Sequence, residues 1–112
     1  MGLAALALAA PLALPAAAET VRGAAWVQDG DTLYIGRERI RLRNAHAPEL
    51  AEAGGVEARG GLRALVAGEV VTCESRARDR YGRLVAYCRA GSRDLGEAMV
   101  AAGLAAKRAP RR

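Results

Sequence analysis

Hydrophobic and polar positions alternate most clearly between Arg39 and Arg43, where Ile40 and Leu42 are interleaved with Arg39, Arg41 and Arg43. Strand side chains point to opposite faces with period two, so the apolar pair turns toward a core and three guanidiniums turn the other way. Shorter apolar runs at 24–28 and 32–35 flank Asp29-Gly30-Asp31, a tight-turn sequence, and a second turn at 36–38 leads into 39–43. The three runs predict an antiparallel meander. It ends at Ala47-Pro48, because proline lacks the ladder donor and holds the residue before it extended. Two further strands are predicted at 69–75 and 83–89, on either side of the turn Asp79-Arg80-Tyr81-Gly82.

Helical spacing takes over between these strand groups. Residues 56–67 carry Val56, Leu62, Leu65 and Val66 on one expected face, with Gly68 as a C-cap. Gly60 and Gly61 inside it each cost about 1 kcal/mol relative to alanine. Asp94 reads as an N-cap with Glu97 three residues later, and Leu95, Ala98, Met99 and Ala102 make an apolar stripe before Gly103. The resulting order, βββαββα, suits a small five-stranded Greek-key barrel.

A chain of 112 residues is at most one domain with a modest core. Residues 3–14 form an apolar run too short to span a bilayer, which takes about 20 helical residues, and Ala16-Ala17-Ala18 follows it. Residues 1–18 are therefore expected to be a signal peptide, with the domain at 19–104 and a basic, unpatterned, disordered tail at 105–112. The formal charge is +5, and every cation except Lys107 is an arginine. Arginine's planar fork suits bidentate phosphate contacts, so the balance favours a polyanion partner over a bare solvated surface. Cys73 and Cys88 flank the turn at 79–82 almost symmetrically, which makes them cross-strand neighbours in a hairpin. A bridge between them is the favoured reading and two buried free thiols the other, and a pair of cysteines fits an oxidising compartment. Two cysteines do not make a zinc site, and His46 is the only histidine that could join them.

Asp29-Gly30-Asp31-Thr32, the run from Arg41 to His46-Ala47-Pro48-Glu49, and Asp79-Arg80-Tyr81-Gly82-Arg83 together resemble the staphylococcal nuclease (thermonuclease) family. In that family a DGDT turn, an R-x(4)-D-x-P-E run and a D-x-Y-G-R run recur in this order, and the resemblance covers residues 23–104. It implies an OB-type barrel, here lacking the family's C-terminal helix. It also implies a secreted or periplasmic, monomeric nuclease acting on DNA or RNA. Glu49 falls at the position of the general base, Arg41 and Arg83 at the two phosphate clamps, and Tyr81 at a nucleotide contact. Asp31 matches a calcium ligand and Asp29 an acid that supports the site. His46 stands where the family has a second calcium-binding aspartate, and imidazole is a poor ligand for a hard cation. Calcium is then bound weakly, or another ion such as zinc or manganese replaces it, or the site works poorly without one. A second reading keeps the barrel as a binder of nucleic acid or another polyanion that does not cut. On the nuclease reading, Arg41 and Arg83 lie on a polar face, and either can be replaced without loss of the fold.

Overall fold

The computed structural model describes residues 18–108. The expected signal peptide therefore lies, apart from Ala18, outside the described residues. The expected strands are present as β2 (Ala25–Asp29), β3 (Thr32–Ile35), β4 (Glu38–Leu42), β6 (Val71–Arg78) and β7 (Leu84–Ala90). Four more join them: β1 (Glu19–Gly23) and the two-residue strands β5 (Ala45–His46), β8 (Arg93–Asp94) and β9 (Ala106–Lys107). The helices are α1 (Gly55–Val66) and α2 (Leu95–Ala101).

The main sheet has the strand order β1-β6-β7-β4-β3-β2. Only Ala24 separates β1 from β2, so a single bent ribbon lies at both ends of that order. Its first half pairs with β6, Val21 opposite Cys73, and its second half pairs with β3, Val27 opposite Leu33. Sharing one ribbon between both edges rolls the sheet into a five-stranded barrel of the OB type and removes the free edges. All of its ladders are antiparallel except β4 with β7, which run parallel with Ile40 beside Leu84.

The inward positions follow the period-two pattern. Leu33, Ile40, Leu42, Leu84 and Ala86 are essentially inaccessible, and Leu62, Leu95 and Met99 of the helices close the interior. Each fully buried side chain of the larger kind contributes about 1.5–3 kcal/mol. Cys73 and Cys88 are directly opposed in the β6–β7 ladder, face this interior and are joined as a disulfide. Asp94 caps α2, its carboxylate accepting from Glu97 N at 2.8 Å.

Two expectations need correction. The buried face of α1 is Ala58, Leu62 and Val66, with Leu65 half-buried, whereas Val56 is exposed. At 100° per residue Val56 lies roughly 120° around the helix from Leu62, so it cannot share that face. Gly61 is at the contact between α1 and the segment after α2, where a Cβ would collide with Leu104 Cδ1. The expected tail is also not wholly tail: β9 pairs antiparallel with β5, and Arg108 N donates to Asn44 O at 3.1 Å. Main-chain pairing of this kind leaves no side-chain period to read.

Candidate active site

The turn between β2 and β3 is set by Gly30. A Cβ there would stand 2.6 Å from the Cβ atoms of both Ala47 and Ala58. Glycine alone lets the turn slide beneath the chain that follows β5 and against α1. Asp29 Oδ1 accepts from Asp31 N at 3.1 Å and tightens the same turn.

The consequence is a buried carboxylate. Asp31 is 7% exposed; its Oδ2 accepts from Ala47 N at 2.8 Å and lies 3.4 Å from Arg41 Nη2. Its Oδ1 accepts from the Thr32 hydroxyl at 3.1 Å. Burial pushes the Asp31 carboxyl above its ordinary range, opposed by the Ala47 N–H and by Arg41.

Arg41 stands opposite Thr32 in the β3–β4 ladder and is 6% exposed. The expectation of an open cationic face is wrong at this residue. Its Nη1 donates to Leu42 O at 2.6 Å and to Ala45 O at 2.7 Å, because the chain turns back over the guanidinium on leaving β4. Burial draws the Arg41 pKa down, countered by Asp31 and reinforced by the positive fields of Arg108 and Arg83.

His46 Nδ1 is 3.2 Å from Arg41 Nη2 and 3.7 Å from Asp31 Oδ2. The two contacts require opposite protonation of Nδ1. Arginine has no acceptor and keeps its protons, so a hydrogen bond between these two side chains needs Nδ1 as its acceptor. The rest of the His46 side chain is open to solvent.

Arg83 is placed by the β6–β7 hairpin. Asp79 Oδ1 accepts from Tyr81 N at 2.9 Å and Arg83 N at 3.0 Å, and Asp79 Oδ2 accepts from Arg83 Nε. Tyr81 is exposed at the tip, with the guanidiniums of Arg80 and Arg83 at 5.0 and 5.7 Å from its ring centre. Glu49 is exposed, and its carboxylate has no hydrogen bond or ion pair among the described residues. Its backbone N–H is held by Glu52 at 2.8 Å.

The structure thus brings Asp29, Asp31, Arg41 and His46 into one cluster, with Arg83, just before β7, near enough for its charge to act on Arg41. Glu49 is exposed, and Tyr81 is at the hairpin tip with its hydroxyl accepting from Arg80 Nη2 at 2.9 Å. Thr32 and the Ala47 N–H were missed from the sequence, although a threonine directly after Asp31 is a readable signal.

Calcium takes six to eight oxygen ligands. Here both Asp31 oxygens are engaged, a guanidinium adjoins one of them, and a nitrogen fills the strand-end position. Among the described residues no three His, Cys, Asp or Glu side chains converge as a metal cage. The residues present do not fit a calcium cage. No helix among the described residues is long and apolar enough to cross a membrane.

Over residues 39–112 the chain matches the family model described as staphylococcal nuclease homologue. It is 40% identical over 104 residues to the succinoglycan biosynthesis protein ExoI of Rhizobium meliloti (strain 1021), a match spanning 82% of this chain and 54% of that protein. It is 38% identical over 84 residues to an uncharacterized endonuclease of Escherichia coli O157:H7, spanning 70% of this chain and 55% of that protein. A protein of the same description from Escherichia coli matches equally. The chain spans about half the length of these curated relatives.

Proposed function

Because the chain belongs to the staphylococcal nuclease family, we propose that it is a nuclease hydrolysing the phosphodiester bonds of DNA or RNA. Arg41 and Arg83 bind the phosphoryl oxygens, Glu49 takes the proton of the attacking water, and Tyr81 contacts a nucleotide. Asp31 is a positioning residue, acting through Arg41. The carrying observation is the fixation of Arg41 by Leu42 O, Ala45 O and Asp31, which leaves its Nε–H without an acceptor among the described residues. A guanidinium already oriented by the protein meets the charge developing on a phosphoryl group without reorganising, and that is where electrostatic catalysis is most effective. Glu49, solvated and unpaired, is free to accept a proton. The Cys73–Cys88 bridge supports an oxidising compartment, periplasm or medium, as the place of action.

The test is incubation of the oxidised chain with single-stranded DNA and with RNA in calcium, manganese or zinc. Cleavage of either, abolished by Glu49→Gln with binding retained, is expected. No cleavage of either under any of these ions overturns the proposal. One observation favours a second reading, a polyanion binder that does not cut: His46 Nδ1 occupies an Nη2–H of Arg41 that a bidentate phosphate would use. That reading expects salt-dependent binding without turnover in the native chain.

A further inference from the structure

On the outer face of the barrel, Trp26, Tyr34 and Arg39 occupy successive places in one row across β2, β3 and β4. The parallel ladder begins with Ile40 beside Leu84, so Arg39 and Arg83 are the residues that immediately precede its first pair. The row therefore runs from an aromatic pair, through one guanidinium, to the proposed phosphate clamp, a span of three strand spacings or roughly 14 Å.

Each member is unusual for a bland surface. Trp26 is 61% exposed, and its ring meets that of Tyr34 at 5.4 Å between centroids with a 59° tilt. An indole left in water on an open strand has not been used to stabilise the core. Arg39 has no hydrogen bond or ion pair among the described residues, and its Nε is buried without a partner. Such a donor is costly to leave unmade, by contrast with Arg78, which is satisfied by Glu19 and Glu38.

We propose that Trp26, Tyr34 and Arg39 form a stacking platform for single-stranded nucleic acid, a base lying on the exposed Trp26 ring that Tyr34 buttresses and its phosphate on Arg39, on the side of the barrel that leads to Arg41 and Arg83. This inference rests on the nuclease reading for the identity of the neighbouring site. A base offers a π-face of any sequence to exposed aromatics, and guanidiniums track the backbone beside it. A duplex keeps its bases stacked on one another and cannot present one to the rings. The platform therefore selects single strands.

Trp26 is the only tryptophan, so its fluorescence reports on the platform directly. The experiment is titration of the oxidised Glu49→Gln chain, which lacks the proposed base so that binding is read without cleavage, with short oligothymidylate, oligouridylate and a DNA duplex. Quenching of Trp26 at saturation by at least one of the single strands, and weaker binding of the duplex, are expected. Trp26→Ala should weaken single-strand binding about tenfold or more, with Trp26→Phe restoring most of it. Arg39→Gln should lower the salt dependence by about one phosphate contact. Val56→Ser, exposed on α1 away from the row, should bind as the native chain does. Circular dichroism of each variant checks that the barrel is intact. An unquenched Trp26 at saturation, or Trp26→Ala binding within about twofold of native, overturns the platform. Cleavage without quenching removes the platform and leaves the nuclease; quenching without cleavage under any ion removes the nuclease and leaves the platform.

Discussion

Replacing Arg41 by alanine should destabilise the domain far more than replacing Arg83, although both are arginines proposed to bind the same phosphate. The side chains of Arg41 and Asp31 are 8% and 10% exposed, so deletion of the guanidinium strands a carboxylate away from water. Removing one partner of a buried pair costs about 3–5 kcal/mol. Asp31 keeps the Ala47 N–H and the Thr32 hydroxyl, which argues for the lower end. Leu42 O and Ala45 O lose a donor in addition. At about 4–8 °C per kcal/mol for a domain of this size, a loss near 3 kcal/mol lowers the melting temperature by roughly 12–24 °C. The Arg83–Asp79 pair, with side chains 22% and 21% exposed, is partly solvated. Its loss costs about 1 kcal/mol or less, and the midpoint should fall by no more than about 8 °C.

Thermal melts followed by circular dichroism separate the two variants, and cleavage is then measured well below both midpoints. Each variant should lose at least about tenfold in turnover, because both clamps act on charge that develops in the transition state. Asp31→Asn combined with Arg41→Ala should be more stable than Arg41→Ala alone, since it removes the stranded charge. An Arg41→Ala midpoint within about 3 °C of that of Arg83→Ala would refute the burial argument. A double variant no more stable than the single one would show that the orphaned carboxylate is not the cause.

The Cys73–Cys88 bridge spans a sequence separation of 15. It is worth about 3 kcal/mol on the chain-entropy estimate, so chain refolded in reductant should melt at least about 10 °C below the oxidised form; equal midpoints would contradict this. Asp79 is pushed up by burial, but hydrogen bonds from the Arg83 side chain and from the Arg83 and Tyr81 amides outweigh that and hold it below its ordinary 3.8. Its stabilising contribution is thus full above pH 3.8 and is lost as pH falls through the lower folded value. The gap in midpoint between native and Asp79→Asn should therefore close on acidification, and a gap constant with pH would refute the assignment. His46→Asp puts a second carboxylate at the position whose native Nδ1 lies 3.2 Å from Arg41 Nη2 and 3.7 Å from Asp31 Oδ2, and so supplies a hard oxygen ligand in place of a nitrogen. Calcium affinity by calorimetric titration should rise, and equal affinity in the two proteins would mean that residue 46 does not face a cation.

Alternation in 39–43 located β4 and its facing correctly, because burial of Ile40 and Leu42 is a property of that strand alone. The same rule placed Arg41 on an open face, and there it failed. Whether an outward residue meets water depends on what crosses above it, and the cover over Arg41 is backbone: the carbonyls of Leu42 and Ala45. Backbone has no side-chain signature. The same reason hid β9, and it hid β1, whose Glu19, Thr20 and Arg22 surround a single half-buried Val21. The turn acids, the hairpin and the cap at Asp94 were legible, since each rests on hydrogen bonds made within a few residues. Val56 was misjudged because its apolar character was weighed without the helix angle that carries it off the buried stripe.

The residues that the sequence could name and those it could not meet in the segment from Asn44 to Glu49. Asn44 Nδ2 donates to Asp94 at the start of α2, and Asn44 O accepts from Arg108. Ala45 and His46 pair with β9, and Ala47 N donates to Asp31. Four consecutive residues are therefore fixed by three separate parts of the fold, the start of α2, the β9 segment through Arg108 and the turn at Asp31, and Glu49 follows them after a proline that is itself stiff. A proposed base on an exposed loop would ordinarily be poorly placed. Here the loop is tied immediately upstream by contacts that do not involve the Glu49 carboxylate, and those contacts fix the backbone that leads into it. Arg41 is tied to this segment through Ala45 O, and Asp31 through the Ala47 N–H, so the backbone leading into Glu49 is anchored to the buried pair while the Glu49 carboxylate itself makes no ion pair among the described residues.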